Sequence, residues 1–154
     1  MENTVSSQVY FEIAFEEASA AAERGEVPVG AVLVSDDGTI LSRAGNRMRE
    51  LNDPTAHAEV LAIREACRKL GSDRLPGADL YITLEPCTLC AAAISFARLR
   101  RIYFSAYDVK GGGVENGACF FNQPTCHHAP EVYGGFQEQR GLSLIKSFFA
   151  SLRD

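Results

Sequence analysis

Three short apolar runs constrain the fold of this chain most tightly. VGAVLV (29–34), ADLYITLE (78–85) and RRIYFSAY (100–107) are dense in Val, Ile, Leu, Tyr and Phe and lack strict alternation of apolar and polar residues. Strands of that kind are covered on both faces. The segments between them carry the helical periodicity that would supply the cover. Ser6 or Ser7 is placed to cap a first helix running to about Arg24, with Val9, Ile13, Ala14, Ala18 and Ala21 as its apolar stripe and Gly25 as its stop. A second helix is predicted from Thr55 or Ala56 to Leu70, with Val60, Leu61, Ile63 and Ala66 inward. CTLCAAAISFA follows Pro86 as a third. A last one spans about Glu138 to Leu152, with Leu142, Ile145, Phe148, Phe149 and Leu152 on its apolar side. SDDG (35–38) reads as a turn that returns TILSRA (39–44) as the hairpin partner of 29–34, and EVYGG as a final short strand. Residues 45–54 and 108–130 read as loops, the second long enough to suggest a function. Strands alternating with helices imply an α/β sandwich with helices on both sheet faces, and 154 residues fit a single domain, 1–154.

Composition narrows the function classes. No run of eighteen apolar residues suggests a membrane span. The acidic start MENTVSSQVYFEIAFEEA lacks the basic region of a secretory signal, and five cysteines at irregular spacing do not suggest a disulfide framework. A reducing compartment, the cytoplasm, is expected. The net charge of −5 argues against a polyanionic partner only on average. Residues 43–110 hold eleven bases against eight acids, so RNA would meet the middle of the chain.

The chemistry concentrates at two places. In LEPCTLC, Cys87 and Cys90 sit where a strand hands over to a helix. Unpaired N–H groups and the positive dipole end at such a junction favour thiolate, the metal-binding form. In TAHAEV (55–60), His57 offers an imidazole to the same metal, and Glu59 is either a fourth ligand or an acid/base beside it. Three protein ligands and one open position describe a catalytic zinc; four would describe a structural one. No second C-x-x-C lies nearby, which favours the open site.

The H-x-E and P-C-x-x-C pair resembles the cytidine/adenosine deaminase superfamily. EVPVGAVLV, GNR, NDPTAHAEV, LYITLEPCTLCAAAI and DVK follow in the order seen in bacterial tRNA-specific adenosine deaminases, from about Tyr10 to Leu152. The resemblance implies a cytidine-deaminase-like three-layer α-β-α sandwich with a mixed five-stranded sheet. It implies one zinc ion per subunit on His57, Cys87 and Cys90, with Glu59 carrying protons between water, ring N1 and departing ammonia. Asn46 would contact the base, and Asp108 and Lys110 would border the nucleotide. The substrate would be the wobble adenosine of a tRNA anticodon stem-loop, the product inosine, and the enzyme a homodimer, with exposed Ile94 and Phe96 suited to its interface. Val109 stands where the family often has proline, GGGVENG replaces a more alanine- and serine-like stretch, and SLRD stands where some members carry a lysine-rich tail.

Two other functions fit the metal motif. A deaminase of a free nucleobase or nucleoside, such as guanine or cytosine, would use the same zinc. A zinc-stapled binding module would not need Glu59. RLRR (98–101) reads as a solvated helix end or a phosphate contact, and Phe148 and Phe149 read as core. Cys119, Cys126, His127 and His128 match no zinc template and read as a surface loop, and Cys67 as core.

Overall fold

The computed structural model describes residues 4–153. Helix α1 (Thr4–Glu23) leads into β1 (Gly30–Val34) and β2 (Ile40–Gly45); a one-turn helix α2 (Met48–Leu51) precedes α3 (Ala58–Leu70). Then come β3 (Asp79–Leu84), α4 (Thr88–Ala97), β4 (Arg101–Ala106), a 3-10 turn at Phe120–Asn122, β5 (Glu131–Gly134) and α5 (Glu138–Arg153). The sheet order is β2-β1-β3-β4-β5. β1 is antiparallel to both β2 and β3, while β3, β4 and β5 run parallel. This is the expected mixed five-stranded sheet.

Successive side chains of a strand point to opposite faces, and both faces here are apolar. Ala31, Leu33, Leu80, Ile82, Ile102 and Phe104 form one buried cluster with the alanines of α3 and α4. Val32, Val34, Tyr81 and Tyr103 form the other with Phe11, Ala14 and Phe15 of α1. On that second face Tyr81, Tyr103 and Tyr133 stack in a row, with ring centroids 4.6 and 5.2 Å apart. The layers are therefore helix, sheet, helix.

Several expectations are corrected by packing. α1 is helical from Thr4, so positions 6 and 7 lie within the helix and not at its N-cap. Its buried stripe runs through Phe11, Ala14, Phe15, Ala18 and Ala21, and Val9 faces solvent. Large rings at 11 and 15 fill space that Val9 could not reach from the other side of the helix. α3 buries Ala58, Ala62 and Ala66 at four-residue spacing, leaving Val60, Leu61 and Ile63 only half-covered. Small residues there let α3 lie close to the sheet. Ile94 is wholly buried, so it belongs to the core and is unavailable to a partner, whereas Phe96 is 69% exposed. Phe149 is 41% exposed and Phe148 only half-covered; neither is core.

About half of the middle segment's positive charge is committed to ion pairs. Arg43 pairs with Glu16 and Glu17, Arg47 with Glu50, Arg68 with Glu65, and Arg100 and Arg101 with Asp79. RLRR splits by role: Arg98 closes α4 in the left-handed conformation, Leu99 is buried, and the last two arginines sit at the start of β4, away from the strand ends that carry His57 and Cys87. Among the described residues no helix is long and apolar enough to cross a membrane.

Candidate metal centre and active site

Two helix N-termini meet at the C-terminal end of β3. His57 is the N-cap of α3 and Cys87 the N-cap of α4, both with extended backbone. An N-cap side chain usually turns back to bond its own helix. Neither residue does so, and both side chains turn to a common point instead. His57 Nδ1 lies 3.5 Å from Cys87 Sγ and 3.4 Å from Cys90 Sγ. The three ligand atoms all lie within 4.8 Å of one another. Tetrahedral zinc with its usual bond lengths would separate nitrogen from sulfur by about 3.6 Å, so the trio fits the ion. The Cys87 thiol beside the ring favours its charged form, and the neighbouring Pro54 carbonyl acts in the same direction, against burial. Nδ1 is the ring atom that faces both sulfurs.

The thiols behave as a pair. A hydrogen bond from Cys90 holds the Cys87 thiol down to about 4, with the His57 imidazole adding to the effect. The same hydrogen bond, with burial, pushes Cys90 up. Thiolate is the form that binds a divalent cation, and metal binding displaces the thiol protons.

Glu59 stands in the first turn of α3, 4% exposed. Burial pushes its carboxyl up to about 7. It lines a cleft of about 170 Å³ together with His57, Cys87, Asn46, Met48 and Asp108. Asn46 Oδ1 accepts the Ala58 N–H at 2.7 Å, taking the capping role that His57 leaves open. A backbone N–H can only donate, so this contact fixes which end of the amide faces the helix. Arg24 in turn holds the Asn46 carbonyl at 3.0 Å.

The cleft opens into a larger groove of about 1110 Å³, the two sharing Val27, Leu84 and Asp108. Tyr107, Val109, Lys110, Lys146 and Phe149 line the groove. Of the residues singled out from sequence, His57, Glu59, Cys87, Cys90, Asn46 and Asp108 converge at the cleft; Lys110 stands in the groove beside it. Cys119, Cys126, His127 and His128 form no metal-holding group among the described residues. Instead Ser95 donates to the His128 carbonyl at 2.6 Å, and the His128 ring lies 2.6 Å from the Leu99 carbonyl, latching this loop to the end of α4.

Residues 4–106 match the family described as the cytidine and deoxycytidylate deaminase zinc-binding region. The tRNA-specific adenosine deaminase of Agrobacterium fabrum is 61% identical over 144 residues, 94% of each chain. This chain belongs to the tRNA-specific adenosine deaminase family. A solved structure from work on A-to-I editing by tRNA:A34 deaminases at the wobble position superposes with a TM-score of 0.87 at 62% identity, covering 89% of this chain and 99% of the other. The guanine deaminase of Nitrosomonas europaea superposes at 0.79 with 19% identity over 92% and 83% of the two chains, which shows a shared fold.

One buried acid beside the metal ligands of this adenosine deaminase went unread in the sequence. Glu85, in the LEPC motif, is 2% exposed. Its carboxylate accepts hydrogen bonds from the N–H groups of Asp108, Val114, Glu115 and Asn116 and from the Asn116 amide. Burial opposes its charge, yet those donors hold the carboxyl below the usual range. The signal was an acid closing a strand buried on both faces, where an unpartnered carboxylate is not tolerated.

Proposed function

We propose that this chain is a zinc-dependent hydrolase converting the wobble adenosine of a tRNA anticodon loop to inosine and ammonia, with residues 1–154 as one deaminase domain. The observation that carries this reading is the opening of the cleft. A pocket for a free base needs only the small chamber over Glu59. Here that chamber continues into a groove with aromatic, apolar and lysine side chains, suited to the nucleotides on either side of a base still attached to its strand. An anticodon loop is already single-stranded, so turning its base into the cleft costs little.

His57, Cys87 and Cys90 would hold the zinc. When bound, zinc supplies a water acidified to a pKa of roughly 7 as the nucleophile for adenine C6. Glu59, buried in the cleft beside the three ligands, would carry a proton from the attacking water to N1, which keeps negative charge off the ring. The same carboxyl would then take the proton of the new C6 hydroxyl, which becomes the carbonyl of inosine, and pass it to the amino group, which leaves as ammonia. Asn46, its oxygen engaged by Ala58, turns its amide N–H toward the base. Asp108 and Lys110 flank the neighbouring ribose and phosphate. A homodimer would bury the exposed rings and chains of α4, Phe96 and Leu89, and a tRNA substrate accords with the cytoplasm.

The test incubates purified protein with an anticodon stem-loop carrying a wobble adenosine, and separately with adenosine, adenine, guanine and cytosine. Inosine in the RNA alone is the expected result. Ammonia from a free base with the stem-loop untouched transfers the assignment to a nucleobase deaminase. Glu59→Ala should abolish turnover while one zinc per chain remains by elemental analysis; loss of zinc would mean that Glu59 is a ligand.

A further inference from the structure

The loop that borders the groove has no regular secondary structure from Tyr107 to Cys119, yet it is tightly fixed. It wraps around one carboxylate. The five donors to Glu85 stand at 2.7 to 3.2 Å and come from residues 108, 114, 115 and 116, so the loop is gripped at both ends. Gly112 passes so near that a Cβ there would stand 2.5 Å from Glu85 Oε2. Gly113 passes equally close to the Thr88 amide, and its own N–H donates to the Pro86 carbonyl at 2.8 Å. Glu85 itself is tied to the sheet through its N–H, which donates to the Ala106 carbonyl at 2.8 Å. The segment Glu85-Pro86-Cys87 therefore carries the loop anchor at one end and a zinc ligand at the other.

We propose that Glu85 is a positioning residue: its buried carboxylate sets Asp108 and Lys110 at a fixed distance from the metal centre and so governs how substrate is held. This rests on the RNA-deaminase reading above. Asp108 is fixed twice, through its N–H on Glu85 and through its carboxylate, which accepts the Gly111 N–H at 2.9 Å. Lys110, two residues on, has its backbone set by that same turn and lines the groove. No part of Glu85 need touch the reacting base for this role.

Glu85→Gln keeps the shape but presents an amide N–H₂ to N–H groups that can only donate. Hydrogen bonds to a charged acceptor contribute enough that an increase of about tenfold or more in KM for the stem-loop is expected, with kcat changed by less than about threefold and one zinc retained per chain. Amide hydrogen exchange at 108–116 should accelerate by at least about tenfold while that of α3 stays unchanged. Lys110→Ala should raise KM less in the Glu85→Gln background than in the native chain, because the loop is already displaced. Should Glu85→Gln fail to fold, Asn116→Ala removes one donor and should produce the same shifts at smaller size. Unchanged exchange at 108–116, additive effects with Lys110→Ala, or a fall in kcat with zinc loss and unchanged KM would each overturn the assignment. A native chain that leaves the stem-loop untouched sinks the functional reading instead; the exchange experiment still decides whether Glu85 fixes the loop.

Discussion

Asn46 caps a helix and lines the cleft with one side chain, and its proposed contact with the base would use the end that the cap leaves free. Its oxygen caps α3 at Ala58, which frees His57 for the metal, and its amide lies at the cleft. The two roles separate by substitution. Asn46→Ala strands a buried N–H and should cost about 1–3 kcal/mol of stability, read as a lower denaturation midpoint. Asn46→Asp keeps an accepting oxygen at a helix N-terminus, where a carboxylate is well tolerated. It should hold most of the native stability yet lose most activity, because the donor to the base is gone. Equal stability losses in both variants would leave the cap without its assigned role. At this scale the sequence spoke clearly where chemistry is local: H-A-E and P-C-T-L-C name their ligands by spacing. Glu85 was silent because its partners lie 23 to 31 residues away and are mostly backbone N–H groups, which leave no mark on residue identity. Glu26 is a second case: buried, it accepts the N–H groups of Arg49 and Glu50 and so fixes α2, which brings Met48 to the cleft.

The elements were readable to the extent that burial is two-sided and continuous. All five strands and the four long helices stand where their apolar runs place them, with ends differing by a few residues. The short α2 and the 3-10 turn were not read, since three or four residues carry no periodicity. Which face of a helix is buried proved harder, because α1 and α3 pack through different residues than hydropathy alone selects. Gly30 explains part of this. A Cβ there would overlap the Ala14 carbonyl oxygen and come within 2.6 Å of the Ala18 nitrogen, so α1 rests directly on β1. Gly30→Ala should therefore destabilise by about 1–3 kcal/mol or more, measured by urea denaturation. A loss below about 0.5 kcal/mol would show that α1 can lift off without consequence.

For the whole molecule, the ligands come from two segments brought together by the sheet: His57 opens the helix that packs on β1 and β2, while Cys87 and Cys90 follow β3. The intact trio exists only in the folded chain, so metal binding stabilises that state. Chelation should lower stability by about 3–4 kcal/mol where zinc had been present at 100 to 1,000 times its dissociation constant, and re-addition should restore the melting temperature. A melting temperature indifferent to chelation would place the metal elsewhere. Assembly is tested at Phe96, whose ring is too exposed to stabilise the monomer. If the chain forms the proposed dimer, Phe96→Glu should yield monomer in sedimentation while the chain keeps its fold; a dimer unmoved by the change would assign the interface to another face.

The row of Tyr81, Tyr103 and Tyr133 has a practical consequence, since the chain contains no tryptophan. Three phenols from the adjacent parallel strands β3, β4 and β5, held face to face, couple their electronic transitions and give a circular dichroism band in the near ultraviolet that a disordered chain cannot produce. The protein thus carries its own optical gauge of sheet assembly, readable without any label, and independent of whether the metal is in place.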